Sequence, residues 1–320
     1  MKILQNISCW IVTEGMAGTE NQCLGITDSL GLTPKVIRCN LRQPWKTLSP
    51  WLGFEKSFTF EPSLAPPWPD LLITSGRKAV AASRYIKKQS GGKTFTLHVQ
   101  DPRVNPAHFD LVAVPHHDPT RGKNVIVTDV APNKITKEKL KQAKDQFPQF
   151  SDIPSPKVAV LIGGKSKAYD MTPAVVEKLI SDLKTLQKEQ NASLLITASR
   201  RTGEENMALL KKSFPNDANT YFWDGEGENP YIAFLSYADS ILVTADSVSM
   251  VSDALATGKP TYIIEMEGGA RRIDLFHQHI LEKDYVKTFS GTLEPYSYQA
   301  VNEAQKIAGI LGNKLGIANE

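Results

Sequence analysis

Cysteine is scarce in this chain. Its three residues, Cys9, Cys23 and Cys39, are odd in number and lack the paired spacing of metal ligands. Neither a disulfide framework nor a zinc site is therefore suggested, and a reducing compartment such as the cytoplasm is expected. No stretch approaches the about 18 consecutive apolar residues of a membrane span. The opening MKILQNISCWIVTEG is interrupted by Gln5, Asn6 and Ser8 before a signal-peptide core can form, so it reads as a first strand. Net charge is small as well: 37 Lys and Arg stand against 34 Asp and Glu, leaving +3. That surplus, scattered along the chain, does not describe a nucleic-acid binder; an anionic substrate or, at most, peripheral contact with a membrane surface stays compatible with it. There is no Walker pattern, no G-x-G-x-x-G, no Asp-x-Asp, no repeat and no low-complexity tract.

What the chain does contain is an alternation of short apolar runs with longer amphipathic stretches, the pattern of parallel α/β units. CWIVT, KVIRC, DLLIT, TFTLHV, LVAVP and NVIVT are strand candidates in the first half, with a helix over 77–88 between two of them. The charged, proline-bearing stretch 131–156 reads as an exposed helix and a linker. The alternation then restarts with KVAVLIGG, SLLITASR, TYFWDG, SILVTAD and TYIIEM. Between the first two of these, Thr172 and Pro173 mark a helix start, followed by Val176, Leu179, Ile180, Leu183 and Leu186 at helical spacing. Two Rossmann-like domains are expected, 1–150 and 151–320, with a final helix over 295–315 that crosses back onto the first.

Ligands of open parallel sheets bind beyond the carboxyl ends of the strands, so the loops there carry the functional information. In TADSVSMVSDALATGKP, a strand ends at Thr244, and Asp246, Ser247, Ser249 and Met250 surround a helix start whose free N–H groups favour a phosphate. An ordinary Ser or Asp cap would show the same spacing. Gly163 and Gly164 end another strand and permit close backbone approach, with Lys165 and Lys167 beside them, though a tight turn is the simpler use of such a pair. Ser199, Arg200, Arg201 and Thr202 follow a third strand and suit a diphosphate. Asn229, in DGEGENP, either borders a base or ribose or belongs to a plain surface turn.

These four loops, in this order, resemble the carboxyl-terminal domain of GT-B glycosyltransferases. The opening TEGMAGTENQCLGI, with ITSGRKA, VQDPR, LIGGKSKAY, TASRRTG and TADSVSMVSDA, is similar to the bacterial relatives of the plant mitochondrial fission protein called elongated mitochondria. The resemblance runs over nearly the whole chain. It implies a GT-B fold, a nucleoside-diphosphate sugar as donor, a glycan or lipid-linked acceptor and no required cofactor or essential metal. The family's name comes from organelle division, so the resemblance bears on fold more than on function.

Under that resemblance, the loop after the first strand faces the acceptor. Gly15, Gly18, Thr19, Asn21 and Gln22 would line it, and a carboxylate there could take the proton of an acceptor hydroxyl. Glu20 is the first candidate base, Glu14 the second and Asp101 a third; Glu20 serves equally well as a helix cap. Ser75, Gly76, Arg77, Gln100 and Arg103 sit at further strand ends. His116, His117 and Asp118 read as a surface turn, since adjacent histidines point apart. Two other activities fit the same loops: a nucleotide-sugar epimerase using Glu20 and Asp101 on opposite faces of the sugar, and a non-catalytic protein that keeps the nucleotide pocket for regulation.

Overall fold

The structure, a computed structural model, describes residues 7–316. It divides into two compact units, Met1–Lys134 with Asn302–Glu320, and Ile135–Val301.

The first unit is built on strands β1 (Cys9–Thr13), β2 (Lys35–Arg38), β3 (Leu71–Ser75), β4 (Phe95–Val99), β5 (Leu111–Pro115) and β6 (Val125–Thr128), in the order β2-β1-β3-β4-β5-β6. Every neighbouring pair is parallel. Helices cover both faces, which is why the strands are apolar at nearly every position instead of alternating. Cys9 and Ile11 pack with Cys23 and Ile26 of α1 (Ala17–Ser29), while Trp10 and Val12 pack with Tyr85 and Ile86 of α2 (Ala79–Gln89). All three cysteines are buried free thiols. Helix α1 runs so close to the segment that follows β6 that a Cβ on Gly25 would lie 2.0 Å from the carbonyl oxygen of Asn133.

The second unit opens with α3 (Lys137–Gln146). Its sheet contains β7 (Lys157–Ile162), β8 (Ser193–Ala198), β9 (Thr220–Trp223), β10 (Ser240–Thr244), β11 (Thr261–Ile264) and β12 (Lys287–Thr288), in the order β9-β8-β7-β10-β11-β12 and again all parallel. The connecting helices are α4 (Pro173–Gln190), α5 (Glu204–Ser213), α6 (Tyr231–Tyr237), α7 (Val248–Leu255) and α8 (Arg271–Glu282). Helix α4 begins as its sequence predicts: Thr172 Oγ1 accepts the Val175 N–H, Pro173 takes the first helical position, and the stripe from Val176 to Leu186 is buried.

The unit boundary departs from the expected division at residue 150. It falls between Lys134 and Ile135, because α3 is held to α6: Ser236 Oγ donates to the Leu140 carbonyl at 2.7 Å and the Tyr237 hydroxyl to that of Lys144 at 3.1 Å. The last helix, α9, spans Glu303–Leu315 instead of beginning at Pro295. The residues before it are irregular because the Tyr296 and Tyr298 hydroxyls bond the backbone of Thr261 and Lys259. Helix α9 lies in the first unit, where Ala304, Ile307 and Leu311 share a core with Ile11 and Ile26. Its buried Glu303 carboxylate accepts the Asp129 N–H at 2.7 Å and pairs with Lys306 at 3.1 Å.

Gly25→Ala must push α1 away from a backbone atom, which cannot yield as a side chain would. The expected loss is roughly 1–3 kcal/mol of stability, read as a lower denaturation midpoint. A wild-type midpoint would show that the helix does not depend on this contact.

Candidate functional site

In each sheet the strand order reverses once, and a crevice opens there at the carboxyl ends of the strands. In the second unit the reversal lies between β7 and β10. The groups at that point are Gly163 and Gly164 from one strand end and Asp246 to Ser249 from the other.

Asp246 organises the crevice. Its side chain is 0% exposed and pairs with Arg201 Nη1 at 2.7 Å. It also accepts the Thr244 hydroxyl at 2.7 Å and the Gly164 N–H at 3.1 Å. A Cβ on Gly163 would lie 2.2 Å from the Asp246 carboxylate, so only glycine permits the approach. Gly163 gives its own N–H to Thr244 Oγ1 at 2.7 Å, and its carbonyl accepts the hydroxyls of Ser199 and Thr202. Lys165 N donates to the Arg201 carbonyl at 2.9 Å.

The partners of the sequence-derived candidates follow from this arrangement. The polar groups of Gly163, Gly164, Thr244 and Asp246 are spent on one another, so they build the crevice and do not line it with free donors. Ser199 is likewise occupied and also caps Arg201 N. Both arginines are exposed, but Arg201, and not Arg200, pairs with Asp246. Lys165 is exposed and pairs with Asp170 at 3.1 Å. Asn229 accepts the Tyr231 N–H at 2.9 Å, which makes it a start signal for α6. Ser247 caps α7 through the Met250 N–H. Ser249, in the first turn of α7, is exposed, and its hydroxyl makes no hydrogen bond among the described residues.

Two features of this region carried no sequence signal. One turn beyond Ser249 on the same helix face, Asp253 accepts the Tyr231 hydroxyl at 2.9 Å, and burial pushes its carboxyl up to about 7 despite that bond. On the α8 side, a cavity of about 610 Å³ is lined by residues that include Tyr169, Ala245, Glu265, Asp274 and His277. His277 Nε2 lies 2.8 Å from the Ala245 carbonyl. Since a carbonyl can only accept, Nε2 carries the proton and Nδ1 is left as a buried acceptor with no partner among the described residues. Burial lowers the ring's pKa, keeping it neutral.

The reversal in the first unit lies between β1 and β3, and Glu14 and Lys78 pair there at 2.5 Å. Gly15, with φ of +84°, takes a backbone form that favours glycine; a Cβ there would press on the Arg38 stem at 3.2 Å. Arg38 instead lies over the loop and grips both oxygens of Glu20, at 2.9 and 2.8 Å. That grip holds the Glu20 carboxyl below its ordinary range. Glu20 does not cap α1 either, because the cap residue is Met16, without a side-chain bond. Thr19 donates to the Met16 carbonyl, Gln22 accepts from Gln100, and Gly18 and Asn21 are exposed. Asp101 follows β4, one strand away from the reversal, and its Oδ1 accepts Arg103 N and the Thr120 hydroxyl, which makes it a turn former. Arg121 binds the carbonyls of His116 and Asp118, holding that turn. Among the described residues no three His, Cys, Asp or Glu side chains are grouped to hold a metal ion.

Residues 17–315 match the family described as Mitochondrial fission ELM1, and the chain belongs to that family. It is 23% identical to the mitochondrial fission protein ELM1 of Arabidopsis thaliana, over 93% of this chain and 88% of that one. It is 27% identical to an uncharacterized protein of Rickettsia prowazekii, over 76% and 79%. Among solved structures, the fold is similar to the UDP-GlcNAc 2-epimerase of Methanocaldococcus jannaschii, with TM-score 0.54 at 11% identity over 96% of this chain and 100% of the other. The corresponding enzyme of Neisseria meningitidis, solved with UDP-GlcNAc, gives 0.50 at 14% over 98% and 100%. The architecture is the GT-B type shared by glycosyltransferases and such epimerases.

Because the folded-state pKa of Asp253 is raised from 3.8 to about 7, the native protein binds the extra proton between those values. Its contribution to stability is full at low pH and is lost as pH rises through that window. Asp253→Asn should flatten this slope in pH-dependent denaturation. An unchanged slope would mean that Asp253 is not the titrating group.

Proposed function

We propose that this member of the mitochondrial fission ELM1 family is a glycosyltransferase that uses a nucleoside-diphosphate sugar. The observation that carries this is the crevice of the second unit: a helix start with an exposed Ser249, an arginine held at its rim and an adjoining cavity large enough for a sugar. The first turn of α7 supplies N–H groups and a favourable dipole for the diphosphate, and Ser249 and Arg201 add a hydroxyl and a positive charge. Tyr231 and Asp253, one turn along, are assigned to the nucleoside, with the Asp253 carboxyl accepting a ribose hydroxyl beside its bond from Tyr231. The cavity beside Ala245 takes the sugar, where Glu265, Asp274 and the bare His277 nitrogen accept its hydroxyls. The likeness to enzymes whose titles name UDP-GlcNAc supports a nucleotide sugar of that class.

The acceptor, a glycan or lipid-linked hydroxyl, is assigned to the first unit, and Glu14 is its base. Glu20 is the weaker choice because both of its oxygens are bonded and its pKa is depressed, which lowers its affinity for a proton. Its pair with Arg38 shapes the loop instead.

A nucleoside diphosphate at about 100 times its dissociation constant should add about 2.7 kcal/mol of stability, seen as a raised melting temperature, and the gain should persist in excess chelator. Ser249→Ala should weaken that binding by about 1 kcal/mol without altering the melting temperature of the free protein. No shift with any nucleoside diphosphate would remove the proposal, and conversion of UDP-GlcNAc without an acceptor would replace transfer by epimerisation or hydrolysis.

Glu14→Gln should lower turnover by roughly 10²–10⁴ with nucleotide affinity kept, whereas Glu20→Gln should act mainly on stability. The reverse pattern would return the base to Glu20.

A further inference from the structure

Large apolar side chains that stay in water cluster on one loop. Of the eight such residues described, four lie between residues 48 and 58: Leu48 at 48%, Trp51 at 65%, Phe54 at 86% and Phe58 at 57% exposure. The loop is not slack. Arg84, reaching from α2, donates to the carbonyls of Pro50 at 2.7 Å and Leu52 at 2.9 Å, and it pairs with the nearly buried Glu55 at 2.5 Å. Trp45 Nε1 donates to the Gly53 carbonyl at 3.1 Å and its ring meets Phe58 edge-on. The base of the loop is a short antiparallel ladder pairing Asn40 with Glu61 and Leu41 with Phe60.

Phe54 sharpens the point. Its φ is +63°, in the left-handed region that bulky residues avoid. Left-handed backbone at a non-glycine residue costs free energy and clusters at functional sites. Here the outcome is the most exposed large apolar side chain described, so no packing within the chain accounts for it.

The charge around the tip has one dominant sign. Arg42, Lys46 and Lys56 are exposed, while Glu55 is turned inward to Arg84, and Glu61 stands at 3.8 Å from Arg42. A projecting set of Trp, Phe and Leu side chains collared by Lys and Arg matches the interfacial zone of a membrane. There aromatic rings settle at headgroup depth and cations meet anionic lipid. The core of a protein interface is depleted in lysine, whereas Lys46 and Lys56 stand among these aromatics.

We propose that residues 42–58 form a docking element for an anionic phospholipid surface, with Leu48, Trp51, Phe54 and Phe58 entering the headgroup layer and Arg42, Lys46 and Lys56 pairing with lipid phosphates. This assignment stands apart from the nucleotide-sugar proposal, because it can be tested without nucleotide or turnover.

The test is co-sedimentation of the full chain with vesicles of phosphatidylcholine mixed with phosphatidylglycerol, and with vesicles of phosphatidylcholine alone. Binding is expected to the mixed vesicles, to weaken with salt, and to be much weaker on the neutral ones. Trp51→Ser/Phe54→Ser and Lys46→Gln/Lys56→Gln should each cut the partition onto mixed vesicles by about tenfold or more. Both pairs are exposed, so a wild-type melting temperature shows that folding is intact, and the lysine variant serves alone should the aromatic one misfold. The proposal is overturned if wild-type protein stays in the supernatant with mixed vesicles, if binding is equal on neutral ones, or if the folded variants bind undiminished. Self-association that the aromatic variant abolishes, without vesicle binding, would assign the tip to a second copy of the chain.

Discussion

Asp246 holds a carboxylate where its side chain does not touch water, and most of the second unit's crevice follows from the need to compensate it. An uncompensated buried charge would cost several kcal/mol, so the surrounding chain supplies Arg201, the Thr244 hydroxyl and the Gly164 N–H. Those three partners come from the loop after β8, the last residue of β10 and the loop after β7. One side chain thereby ties together three strand ends, and the absence of a Cβ at Gly163 is what lets it sit there. The start of α7 is fixed in consequence, and Arg201 is held at the rim with part of its guanidinium still exposed. The first unit shows a looser version of the same plan, in which Gly15 makes room for Arg38 to clasp Glu20 while Glu14 and Lys78 pair across the reversal of strand order.

The strands were legible because a parallel sheet covered on both faces reads as unbroken apolar runs, and all of the runs singled out became strands of the two sheets. The start of α4 was legible for a local reason, since a threonine cap followed by proline at the first helical position has few other uses. The two-residue β12 was not, because so short a strand leaves no pattern. Nor was the true start of α9: Tyr296 and Tyr298 look like helical residues until their hydroxyls are seen to bond a distant backbone. The placement of α3 depended on contacts with α6, and contacts between elements far apart in the chain have no periodicity to detect.

The sequence names the candidate groups of the site but not their hydrogen-bond partners, for a single reason. Residue type announces which bonds a group can make and is silent on which partner takes them. Gly163, Gly164, Thr244 and Asp246 have the composition of a ligand clamp, yet they satisfy each other. Arg200 and Arg201 are equivalent as letters, and only the short helical turn after β8 decides which one pairs with Asp246. Asp253 is one more polar position on an amphipathic helix until burial raises its pKa against the bond from Tyr231. Glu20 and Glu14 differ because a glycine between strand and helix lets Arg38 reach only the former.

The attachment of α9 to the first unit also sets an order in time. The core that Ile11, Ile26 and Ile73 share with Ala304, Ile307 and Leu311 is written at both ends of the chain. During synthesis from the amino terminus, the first sheet therefore has α1 but not α9 on one of its faces until the end, while the second unit is contiguous in sequence. Closure of the first unit's core therefore waits on residues 303–315, the only part of that core written after the second unit among the described residues.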